Sequence, residues 1–105
     1  MENKIGVLEI IKTTAREYIA DAEVMLFGSR ARKDSSAESD FDILIITNID
    51  FSPKEKLPLK TSIRKNLLRS GIRSDILIQS RKEVKMKKKL PGHIIKNILK
   101  EAILL

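Results

Sequence analysis

The chain has 105 residues, 42% of them hydrophobic and 33% charged, with a formal net charge of +7 at pH 7 and no cysteine. That length suits one domain, residues 1–105, around a single modest core, and the apolar content excludes a disordered chain. The absence of thiols excludes a disulfide framework and a thiolate metal site. No apolar run approaches the roughly 18 residues that a membrane helix needs, and no signal-peptide pattern opens the chain, so a cytoplasmic protein is expected. The basic balance points to an acidic partner: a nucleotide, a nucleic acid or an acidic protein face. Aromatic residues are only 4% of the chain, which argues against a stacking platform for single-stranded nucleic acid.

In chain order, residues 4–20 read as an amphipathic helix with Ile5, Leu8, Ile11, Ala15 and Tyr18 as its apolar stripe. Residues 23–27 form a first strand and 40–47 a second; the short link between them predicts antiparallel neighbours. Ser52-Pro53-Lys54-Glu55 is a helix start, with Ser at the N-cap, Pro at N1 and Glu at N3. Pro58 then predicts an interruption, so a short turn is expected before a main helix over about 59–70, striped by Leu59, Ile63 and Leu67 and stopped by Gly71. Residues 72–79 form the third strand. Ser80-Arg81-Lys82-Glu83 is a second capping box, opening a basic helix to about residue 90. Pro91-Gly92 breaks it, and 93–104 read as a final helix. Strands alternating with helices predict an α+β fold: one small mixed sheet with helices packed on it.

The chemistry gathers at the first strand's end. Gly28-Ser29-Arg30-Ala31-Arg32 follows an apolar run, and ten residues then separate Ser29 from Asp40. Asp40 and Asp42 share one face of a strand, their Cα atoms roughly 6.6 Å apart. Such carboxylates suit a pair of ions roughly 3.5–4 Å apart, and hard oxygen ligands favour Mg²⁺ or Mn²⁺. Gly28 lets backbone approach a phosphate closely. The following N–H groups and the Ser29 hydroxyl can hold an anion, with Arg30 or Arg32 adding a charge-assisted contact. Asp75, in Ser74-Asp75-Ile76, joins the same ions if its strand lies beside the second.

Each residue also has a plainer reading. Asp40 and Asp42 alone would be a strand-start cap and an exposed acid, Ser29 a helix cap, Arg30 and Arg32 surface cations, and Asp75 a turn residue. Their combination at this spacing favours a metal-nucleotide site. His93, the only histidine, has no second ligand for a metal and reads as structural or surface. Lys85, Lys87, Lys88 and Lys89 read as a solvated helix face, with a basic docking surface as the sharper alternative. Leu104 and Leu105 read as a groove or oligomer contact, or as a frayed end.

Gly28, Ser29, Asp40, Asp42 and Asp75 together resemble the nucleotidyltransferase superfamily built on the DNA-polymerase-beta-like palm. The short chain and the Gly-Ser-Arg-Ala-Arg opening resemble its minimal nucleotidyltransferase (MNT) subgroup, in which a glycine often stands where this chain has Lys33. The resemblance implies a small mixed sheet covered on one side, with the site at its open edge. It implies Mg²⁺-dependent transfer of a nucleoside monophosphate, AMP from ATP, to an acceptor hydroxyl. Asp40, Asp42 and Asp75 would be the catalytic metal ligands, Asp75 nearer the acceptor; Gly28 and Ser29 would seat the β- and γ-phosphates, with Arg30 or Arg32 neutralising charge. Little chain remains to build an acceptor pocket, so a separate protein is expected to supply it. The subgroup implies a HEPN-type toxin, modified on tyrosine, in a toxin–antitoxin pair. Two other classes stand beside this one: a non-catalytic module that binds nucleotide or partner, and a charge-driven nucleic-acid binder. The lack of a helix-turn-helix signature and of aromatics weakens the second.

Overall fold

A near-continuous apolar run such as Ile43-Leu44-Ile45-Ile46 can stay out of water only in a strand covered on both faces. The computed structural model builds the molecule around that strand. It describes residues 4–33, 36 and 39–105. Residues 1–3, Asp34, Ser35, Ala37 and Glu38 lie outside the described residues, as does the side chain of Ile5 in the predicted helix stripe.

The described elements are α1 (Lys4–Tyr18), β1 (Glu23–Phe27), α2 (Gly28–Arg32), β2 (Phe41–Thr47), α3 (Pro53–Arg69), β3 (Ser74–Ser80), α4 (Arg81–Lys87), α5 (Ile94–Glu101) and β4 (Ile103–Leu104). The sheet order is β3-β2-β1-β4. β1 is antiparallel to β2 and to β4, whereas β2 and β3 are parallel. The sheet is therefore mixed and the fold α+β, as the alternation of elements predicts. α3 is the crossover that a parallel pair requires.

Side chains alternate across the sheet. Val24, Leu26, Ile43, Ile45, Ile76 and Ile78 pack on one face with Ile11 and Ala15 of α1 and with Ile63 and Leu67 of α3. On the other face Leu44 and Ile46 meet Val84 of α4 and Ile95 and Ile98 of α5. Each fully buried aliphatic side chain contributes about 1.5–3 kcal/mol. The one-sided cover implied by the palm resemblance is thus corrected: the short C-terminal helices close the second face.

Two element boundaries also differ from expectation. Pro58 lies inside α3 and does not interrupt it. The helix starts strongly at Ser52, whose hydroxyl accepts from Glu55 N–H while Glu55 accepts from Ser52 N–H. Pro58 falls near that start, and the carbonyl it leaves without an N–H belongs to exposed Lys54, where water can serve it. The last helix ends at Glu101 because Ala102 is extended, and Ile103 and Leu104 then pair with Leu26 and Met25. Leu105 N–H donates to the Val24 carbonyl at 2.9 Å. The tail supplies the partners that the open edge of β1 would otherwise lack.

Candidate active site

Asp42 and Asp75 are each the second residue of their strand, and the parallel register sets them directly opposite one another. Neighbouring strands lie about 4.8 Å apart, and opposed side chains share a face, so the two carboxylates project together. They share the face of Leu44 and Leu77, at the end of the strands where β2 and β3 begin. Asp40 lies just before β2 and is half-exposed, its carboxylate 3.5 Å from Arg73 Nε. Arg73 also fastens the strand start, its carbonyl accepting from Phe41 N–H at 2.9 Å.

Across the antiparallel pair Phe27 is opposite Asp42, and the next residue, Gly28, packs against the Asp42 carboxylate rather than beside Asp40, where the short link between the strands would be expected to place it. Gly28 has φ +72°, and a Cβ there would run into the Asp42 carboxylate. Glycine is needed at this position for both reasons. α2 closes on a left-handed residue, Lys33 at φ 64°, whose N–H donates to the Ser29 carbonyl. Glycine adopts that conformation freely, so it would suit this position. The rest of the spacer to Asp40 falls largely outside the described residues.

Burial first, then the negative charges of Asp75 and Asp40, push the Asp42 carboxyl above the usual aspartate range; Arg32 opposes this and Glu101 adds to it. A cation beside Asp42 would favour its charged form. Among the described residues, no three acidic, histidine or cysteine side chains stand close enough to cage an ion as they are. The donor set nevertheless fits hard divalent cations, since every candidate ligand is a carboxylate oxygen, and Mg²⁺ completes its shell with water and phosphate.

The two arginines have different surroundings. Arg30 donates from Nε and Nη2 to the Ser39 carbonyl at 3.2 and 2.8 Å, and its guanidinium stacks 4.2 Å above the Phe41 ring. It ties the end of the spacer to the start of β2. Arg32 Nη1 instead meets Glu101 at 3.0 Å, and Glu101 Oε1 also accepts from the Gly28 N–H at 3.2 Å. Cations on α3 flank the acidic edge. Lys60 and Arg64 line a cavity of about 160 Å³ with Asp75. Arg64, Lys65 and Arg73 line another of about 390 Å³ with Asp40.

Sequence reading missed Glu101, Arg64 and Arg73. Nothing local marks Glu101, whose contact with Gly28 spans 73 residues. His93 is structural, its Nδ1 accepting from Ile95 N–H at 3.1 Å. Lys87 departs from the solvated lysine face, donating to Gln79 Oε1 at 2.6 Å. Lys85, Lys88 and Lys89 line a cavity of about 560 Å³ over Ile46 and Val84, at the far end of β1 from Gly28.

Comparison with known proteins shows the family and the fold. The family described as Nucleotidyltransferase domain matches residues 7–105. Over 102 residues the chain is 35% identical to a Methanocaldococcus jannaschii protein provisionally named a protein adenylyltransferase, covering 96% of this chain and 95% of that one. A solved structure provisionally described as a minimal nucleotidyltransferase superposes with a TM-score of 0.58 at 25% identity, covering 97% of this chain and 91% of that one. Two more share the fold at 15% identity: a toxin–antitoxin with AMP-PNP (TM-score 0.63, 91% and 69% covered) and a tri-AMPylated Shewanella oneidensis HEPN toxin with MNT antitoxin (TM-score 0.53, 96% and 69% covered).

Proposed function

Because this chain belongs to the nucleotidyltransferase domain family, we propose that it moves AMP from ATP to a hydroxyl on a partner protein. The observation that carries this reading is the register of Asp42 on Asp75 with Gly28 packed against Asp42. Asp40, Asp42 and Asp75 would hold Mg²⁺ or Mn²⁺. Bound there, the metal would offset phosphate charge and lower the pKa of the acceptor hydroxyl. Gly28 N–H and Ser29 seat the terminal phosphates, and Arg32 supplies a positive charge beside them. Arg30 holds the spacer against Phe41 and so fixes the approach to Asp40 and Asp42. The acceptor oxygen bonds to the α-phosphorus, the bond to the β-phosphate bridge breaks, pyrophosphate leaves, and the hydroxyl proton passes to solvent. Catalysis rests on positioning and charge.

The acceptor is proposed to be a tyrosine of a HEPN-type toxin. Two things support a protein acceptor: the motif resemblance and the name of the M. jannaschii relative. To test this, each labelled nucleoside triphosphate is incubated with Mg²⁺, the purified chain and the product of its neighbouring gene, and the protein products are weighed by mass spectrometry. Expected is an added AMP on the partner that disappears with Asp42→Asn. Label on a small molecule alone, or partner binding without any transfer, would overturn the reading.

A further inference from the structure

Glu101 is the last residue of α5. A carboxylate there faces the negative end of the helix dipole, so the helix gains nothing from it. Its contacts lie across the molecule. One oxygen accepts from Gly28 N–H at 3.2 Å, and the same carboxylate pairs with Arg32 at 3.0 Å. These two groups are the N–H and the guanidinium that the proposed function gives to the terminal phosphates. Carboxylate and phosphate offer them the same chemistry: anionic oxygens at hydrogen-bond distance.

We propose that Glu101 sets the affinity of the nucleotide site: its carboxylate stands in the place of a terminal phosphate, and a triphosphate binds by displacing it. This inference rests on the nucleotidyltransferase reading. One carboxylate contacts both groups, so moving it away opens Gly28 N–H and the Glu101-facing side of Arg32 together. The pair is part-exposed, with side-chain exposures of 49% for Arg32 and 30% for Glu101. Exposed pairs of this kind are weak, so Glu101 tunes binding rather than blocking it. A triphosphate brings more charge to Arg32 than one carboxylate does. A monophosphate held by the same base and sugar has no terminal phosphate with which to compete, so Glu101 weighs on triphosphate alone.

Calorimetric titration with a non-hydrolysable ATP analogue and, separately, with AMP, both with Mg²⁺, tests this on wild type and Glu101→Gln. The variant is expected to bind the triphosphate about two- to fivefold tighter, with AMP affinity and the ligand-free melting temperature unchanged. Should Glu101→Gln fail to fold, Glu101→Asp takes its place, since a carboxylate one methylene shorter spans the two groups poorly and should also tighten binding. Wild type that binds the triphosphate, with variants that bind it equally or more weakly, overturns the inference and leaves the nucleotidyltransferase reading intact. Wild type and variants that all fail to bind triphosphate overturn both.

Discussion

The Asp42 carboxylate fills the space that a side chain at Gly28 would need. The Gly28–Ser29 corner and the start of β2 are therefore one packed unit, and a change in either is felt in the other.

Gly28→Ala should damage both. The left-handed backbone alone costs a non-glycine residue about 1–2 kcal/mol, and the clash with Asp42 adds to it. The expected result is a lower melting temperature together with loss of transfer. Thermal melting beside a transfer assay checks this; full activity would mean that Asp42 can move aside without consequence.

Asp42→Asn should abolish transfer without harming the fold. Asparagine keeps the shape and removes a charge that burial and the nearby Asp75 and Asp40 disfavour. Without metal the variant should melt at or above the wild-type temperature. With Mg²⁺ added, wild type should gain stability by mass action and the variant should gain less. Melting curves with and without Mg²⁺ distinguish the two.

Lys33→Gly should stabilise. Lys33 occupies a left-handed position, φ 64°, which glycine adopts without steric penalty. A gain of about 0.5–1 kcal/mol is expected, read as a higher midpoint in urea. An unchanged midpoint would mean that the extra freedom of glycine in the unfolded chain cancels the relief.

Glu83 should carry a pH-dependent share of stability. Burial alone would raise its carboxyl, but hydrogen bonds from Lys56 and Ser80 N–H outweigh it and hold it below the usual glutamate range. Lys56 Nζ lies 2.8 Å from the carboxylate, tying α3 to α4. A depressed carboxyl stabilises fully above its unfolded pKa, and that share is lost as pH falls through the folded one. Glu83→Gln should therefore cost about 1–2 kcal/mol near neutrality. The gap between the urea midpoints of wild type and variant should close as pH drops below the ordinary glutamate range.

The parts of the fold that were legible in the sequence depend on near neighbours. Both capping boxes, Ser52 with Glu55 and Ser80 with Glu83, form as their spacing predicts. Asp42 and Leu44 share a face because strand alternation is local. Pro58, the sixth residue of α3, does not break it, because the helix is strongly capped at Ser52 and only the exposed Lys54 carbonyl loses its partner. What escaped is tertiary. Ile103 and Leu104 have the apolar spacing of a helix and become strand only because β1 offers an edge. Glu101 reaches Gly28 only once α5 has packed on the sheet. Arg73 meets Asp40 at 3.5 Å, a contact that its own sequence context, that of an ordinary turn, does not announce.

β2 and β3 run parallel, so no hairpin turn fixes how they slide past one another. That task falls to the crossover, held at one end by the Ser52 cap and at the other by the turn in which Ile72 N–H returns to the Leu67 carbonyl at 2.9 Å. A slip of one residue would aim Asp75 at the opposite face of the sheet and away from Asp42. α3 thus acts as a ruler for the Asp42–Asp75 pairing: a single-residue insertion or deletion along it would part the two carboxylates while leaving every acidic side chain in the chain.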